Sequence, residues 1–177
     1  MKEFLKKIKL IENLTTEIEI QKNDFVSKFK QNVDEESTGL FSSFFEAFSS
    51  SINEYKGQVG YDGFKIKRKR KFIDTNMNIA VASGTYRQNS EKLIIETEIN
   101  GFSKKMIPFY LFILIFYSIL IGNFLKTDSI GRGVGFPSPF MVIHAAFMFY
   151  LPYLMMRRST KRMRHELERE FYYMTKK

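Results

Sequence analysis

The chain has 177 residues and a net charge of +9, with no cysteine and no tryptophan. The lack of cysteine excludes disulfides, thiolate zinc sites and a cysteine nucleophile. The charge is unevenly placed: residues 1–103 hold 16 basic against 15 acidic residues, whereas residues 157–177 hold 8 against 3. The basic excess therefore borders the most apolar part of the chain. A nucleic-acid-binding domain would more often spread it over a folded face, so no nucleic-acid partner is expected.

The start, MKEFLKKIKLIENL, is charged throughout and has no apolar core of the signal-peptide kind, so none is expected. Phe4, Leu5, Ile8 and Ile11 fall at helical spacing among lysines, which predicts a short basic amphipathic helix over residues 2–12. It could pack on its own domain or lie on a membrane surface. Residues 14–20 (LTTEIEI) alternate with period two and predict a strand. Asn23 or Asp24 then caps a helix with Phe25, Phe29 and Val33 on one face. Residues 34–37 read as a polar break. The phenylalanine-rich stretch at residues 40–48 reads as a second helix or an interfacial segment.

Residues 54–59, 63–71, 77–86 and 92–100 alternate in hydrophobicity, and glycine, Asp or Asn punctuates them. This predicts an antiparallel meander. The expected fold is α+β: a small meander sheet with one or two helices over residues 1–103, then a two-helix transmembrane hairpin and a C-terminal cytoplasmic helix.

Residues 106–124 and 138–156 are two runs of 19 without a charged side chain. At 1.5 Å per residue each reaches roughly 28 Å, close to the thickness of a bilayer core. They predict a transmembrane hairpin over residues 104–156, with residues 125–137 as its outer loop. The GRGVG run in that loop lacks the GK[ST] ending of a phosphate loop. Lys104 and Lys105 precede the first span, and Arg157, Arg158, Lys161 and Arg162 follow the second. Basic flanks stay on the cytoplasmic side, so both termini are expected in the cytoplasm, at the inner membrane of the cell. Pro152 is expected to kink the second span near its end. The tail, residues 157–177, predicts a basic helix on which Met163, Leu167, Phe171 and Met174 form an apolar stripe, to be covered by the soluble domain or by another subunit.

Two constellations carry candidate chemistry. In KIKRKRK, strand alternation puts Lys65, Lys67, Lys69 and Lys71 on one face and Phe64, Ile66, Arg68 and Arg70 on the other. The lysine stripe, with the flanking basic residues, is expected either to contact anionic lipid headgroups or to be a solvated strand face. Within the second span lies His144, an ionisable group at membrane depth. It reads as a proton or ligand site, or as a neutral imidazole hydrogen-bonded to Ser118 or a tyrosine. The chain has no HExxH, GxSxG or Walker pattern, so no enzymatic activity, metal or cofactor is expected.

The order of a strand, a glycine, FKIKRKR, a DTNMN turn and a GTY strand leading into a hairpin covers residues 53–124. It resembles small uncharacterised bacterial two-span membrane proteins with an N-terminal cytoplasmic α+β domain. The resemblance implies an architecture and brings no activity or site residues. Three functions are compatible with the sequence: an accessory, scaffold or interaction subunit at the inner leaflet; an oligomeric effector or channel-like protein gated by its soluble domain; and a small transporter subunit using His144. A protein partner or a homo-oligomer is expected in each.

Overall fold

A computed structural model describes residues 1–35, 53–69, 79–104, 106–128 and 139–176. The phenylalanine-rich stretch at 40–48, Lys71, Lys105 and most of the expected outer loop lie outside them. The elements in chain order are α1 (Lys2–Lys7), β1 (Ile11–Ile18), α2 (Lys22–Gln31), β2 (Val33–Glu35), β3 (Tyr55–Val59), β4 (Gly63–Arg68), β5 (Val81–Asn89), β6 (Lys92–Asn100), α3 (Met106–Asp128) and α4 (Pro139–Thr175). The chain divides into two units: Met1–Phe102 with Met156–Lys177, and Ser103–Met155.

The first unit is α+β, built on a six-stranded sheet of order β1-β6-β5-β4-β3-β2. β3 to β6 form the expected antiparallel meander, and β1 adds beside β6 antiparallel. The sheet is nevertheless mixed, because β2 pairs with β3 in parallel. Parallel neighbours need a long return connection, and residues 36–54 supply the length for one. Several expectations shift at the edges: the strand expected over residues 14–20 is β1 at Ile11–Ile18, and the one expected to end at residue 86 is β5, which runs on to Asn89. The N-terminal helix stops at Lys7, and Ile11 belongs to β1. Lys9 takes φ 58°, and the Lys9 and Leu10 amides donate to the Lys6 and Leu5 carbonyls, which closes the helix end. α2 starts at Lys22, one residue before the expected caps, because the Gln88 Oε1 of β5 accepts the Lys22 amide at 2.9 Å. Val33 is buried as expected, but in β2 rather than on α2.

One face of the sheet carries the core. Strand alternation presents Leu14, Ile18, Phe64, Ile66, Tyr86, Leu93, Ile95 and Ile99 to it, and α2 covers them with Phe25 and Phe29. The second cover is the tail of α4, whose Met163, Leu167, Phe171 and Met174 are all buried in this core. The stripe is thus covered by the chain's own sheet. Phe171 meets Phe25, Phe29 and Phe64 edge-on, with ring centroids 5.6, 5.6 and 6.1 Å away. Gly84 leaves the room for Phe64, since a Cβ there would run into the ring and stand 3.0 Å from the Glu96 carbonyl.

In the second unit, α3 and the first part of α4 are both long and apolar enough to cross a membrane. They touch in antiparallel order: Tyr110 stacks on Phe149 at 6.0 Å, and Tyr117 reaches His144 about two turns further along α3. Most of their large apolar side chains point outward, including Phe112, Ile119, Phe140 and Ile143. Pro152 lies inside α4, which remains helical through it.

Candidate functional site

The best-defined polar arrangement of the first unit lies where the chain leaves it and returns. β6 ends at Asn100, and the Gly101 amide donates to the Leu10 carbonyl at 2.8 Å. Against this corner packs the start of the α4 tail. The Thr160 Oγ1 donates to the Met156 carbonyl at 3.0 Å and lies 3.5 Å from the same Leu10 carbonyl. One residue earlier, the Ser159 Oγ accepts the Ile79 and Ala80 amides, both at 3.0 Å, and so satisfies the backbone just before β5. Thr160 is fully buried and Ser159 nearly so. A Cβ on Gly101 would stand 2.8 Å from the Met156 carbonyl, so the exit strand and the returning helix run in direct contact. Phe102 and Met156, the two ends of the first unit at which the chain crosses to the second, therefore emerge side by side.

Exposed basic side chains frame this corner. Arg157, Arg158 and Lys161 are exposed on the first turns of the tail. Arg162 is half-buried and bonds Glu166 at 2.9 Å. α1 reaches the same corner through Leu10.

The lysine stripe of β4 does not survive as one surface. Alternation holds, since Phe64 and Ile66 are buried while Lys65 is exposed and Lys67 half-buried. Lys69 is buried, however, and ion-paired to Asp34 beside the β2 edge. The added parallel strand brings that carboxylate over it, so Lys69 is not available to a headgroup. Arg68 turns to the other face and is ion-paired to Glu166, with Glu54 at 3.4 Å. The Glu12–Arg164 pair, at 3.2 Å, ties β1 to the same tail. Beside the Arg68 cluster, Tyr55 is buried, and its hydroxyl pKa is pushed well above the usual tyrosine range by burial and then by the Glu166 and Glu170 carboxylates.

The opposite face of the sheet holds an open trough of about 370 Å³, lined by Asn13, Thr15, Ser83, Thr85, Glu96 and Glu98. Glu98 is already paired to Lys2 at 2.7 Å. Among the described residues, no group of three or more His, Cys, Asp or Glu side chains is placed to hold a metal.

In the second unit, His144 bonds a tyrosine rather than a serine. Its Nδ1 meets the Tyr117 hydroxyl, while Ser118 donates to its own Leu114 carbonyl at 2.8 Å. Tyr117 is buried between the helices, and the imidazole itself is exposed on the helix surface.

Sequence reasoning missed Ser159 and Thr160, which stand in the run RRSTKR. A signal was available: extending the stripe of Met163, Leu167, Phe171 and Met174 backward by three and four residues places Thr160 and Met156 on it. Comparison of the chain with models of known families, with curated proteins and with solved structures found no match.

Proposed function

We propose that this chain is an integral membrane protein that works by contact rather than catalysis, as an accessory or scaffold subunit. In this reading residues 106–124 and 138–156 cross the inner membrane as a hairpin. Both termini are cytoplasmic, and the first unit is held at the inner leaflet. The observation that carries the reading is the corner formed by Gly101 and Thr160. Both passages of the chain leave the α+β unit at one point, framed by Arg157, Arg158 and Lys161, and Lys104 follows Phe102 by two residues in sequence. Such a unit presents one end to a bilayer, and each exposed basic residue there gains about 1 kcal/mol beside anionic lipid. The outward apolar surface of α3 and of the first part of α4 suits hydrocarbon and would be costly in water.

Two measurements test it. The absence of cysteine makes single-cysteine labelling unambiguous. With a membrane-impermeant maleimide, Val134→Cys should label in intact cells and Lys176→Cys only after the inner membrane is opened. The reverse pattern overturns the orientation. Purification from membranes in mild detergent should then yield a stoichiometric protein partner.

A second reading, an oligomeric channel-like or transport assembly, is favoured by His144. An imidazole exposed on an apolar helix, with only Nδ1 engaged among the described residues, calls for a partner at its other nitrogen. A discrete homo-oligomer that dissociates on His144→Ala, with nothing else bound, would replace the scaffold reading by this one.

A further inference from the structure

α1 is only partly absorbed by the fold. Leu5 is buried and Leu10 nearly fully so, which seats the helix on the sheet. Met1 and Phe4 are left 90 % and 63 % exposed. Around them stand Lys7 and Lys9, both exposed, with Lys6 tethered to Glu3 at 3.3 Å and Lys2 to Glu98 at 2.7 Å. A large exposed phenyl ring among lysines is costly in water and suited to a headgroup interface, where the ring enters the acyl boundary and the ammonium groups stay with the phosphates. The location adds a second argument. α1 is closed by the Leu10 amide, and the Leu10 carbonyl accepts the Gly101 amide at the corner from which both passages of the chain depart. The helix is therefore a few residues from the two basic exits, and its lysines extend the same positive field.

We propose that α1 is a membrane-surface contact of the first unit. Phe4, with Met1, inserts into the interface of an anionic bilayer, and Lys7 and Lys9 rest on lipid phosphates. This rests on the reading that the chain is anchored in a bilayer. The contact adds a further point of attachment beside the two passages and sets which face of the unit is turned to lipid and which remains open to partners.

The absence of tryptophan supplies the test. Phe4→Trp places a lone indole at an exposed position, and Ile115→Trp places one on the outward surface of α3. Each full-length variant is reconstituted into phosphatidylcholine–phosphatidylglycerol vesicles with and without brominated acyl chains. The expected result is a blue-shifted Phe4→Trp emission that is lost to the brominated lipid, and a weaker loss in pure phosphatidylcholine. Ile115→Trp should be quenched equally in both lipids. Quenching of Ile115→Trp with a water-like, unquenched Phe4→Trp overturns the α1 contact and leaves the anchored reading in place. A blue-shifted Phe4→Trp without quenching puts protein over the helix and also overturns the contact. Equal quenching of Phe4→Trp in neutral vesicles overturns the role of the lysines. If neither indole is quenched, the anchored reading falls and the contact with it.

Discussion

Gly101 and Thr160 share a contact so close that a Cβ on the glycine would run into the Thr160 hydroxyl, with the Met156 carbonyl only 2.8 Å away. One is the first residue after the last strand, and the other lies in a helix whose earlier part belongs to the second unit. Gly101→Ala should therefore cost about 1–3 kcal/mol, the usual penalty of overfilling a packed site. Thr160→Ala in the same chain should recover part of that loss, because it removes the hydroxyl but leaves the Met156 carbonyl. Denaturant unfolding of the four variants of this cycle, followed by far-ultraviolet circular dichroism in detergent, measures the coupling.

Tyr86 illustrates the cost of a buried hydroxyl. Its side chain is in the core, the OH has no hydrogen-bond partner among the described residues, and burial raises its pKa well above the usual value. Tyr86→Phe should stabilise the protein by about 1 kcal/mol at neutral pH. The pH dependence follows from the direction of the shift. Above about pH 10 the unfolded chain ionises its tyrosines while the folded chain keeps the Tyr86 and Tyr55 protons. The folded state then binds more protons, and stability falls as pH rises. The full slope is about 1.4 kcal/mol per pH unit for each tyrosine, and Tyr86→Phe should halve it. Melting curves between pH 8 and about pH 11 decide this.

The Glu166 carboxylate separates a buried pair from an exposed one. Its Oε1 meets both Arg68 and Arg162, whose side chains are 13 % and 38 % exposed. Arg68→Ala strips the buried partner and should cost about 3 kcal/mol. Arg162→Ala removes a partner with more access to water and should cost about 0.5 kcal/mol, declining with added salt. Equal losses would show that burial does not set the strength of this cluster.

Phe171 should be the most damaging truncation of the tail. Its ring is fully buried against three other phenylalanines. Phe171→Ala should cost about 3–5 kcal/mol and expose the end of α4 to protease, giving early cleavage after residues 157–164 in limited digestion.

At Lys9 the fold pays for a bend with a side chain in the left-handed region. The hydrogen bonds of a glycine-type helix stop are in place without the glycine. Lys9→Gly should raise stability by about 0.5 kcal/mol, a relief of backbone strain partly offset by the freer unfolded chain. Ser90, at φ 54° in the β5–β6 turn, should respond in the same direction.

Local patterns in the sequence were enough for the elements that obey one period. Alternation over residues 92–100 gave β6 to the residue, and Phe25 with Phe29 marked the buried face of α2. The two uncharged runs were equally legible, because length and the absence of charge are local properties. Boundaries set by distant groups were not: the start of α2 depends on Gln88, and the end of α1 on Lys9 closing the helix so that Ile11 can pair with Asn100. Tertiary structure alone decided what the charges do. In sequence Lys69 belongs to a lysine stripe, but the parallel strand β2, whose pairing no local pattern encodes, carries Asp34 to it. The stripe on the tail could have served a partner, and only the six-stranded sheet shows it to be core. Likewise no spacing joins Leu10, Gly101 and Thr160, which are brought to one corner by long-range backbone hydrogen bonds and close packing.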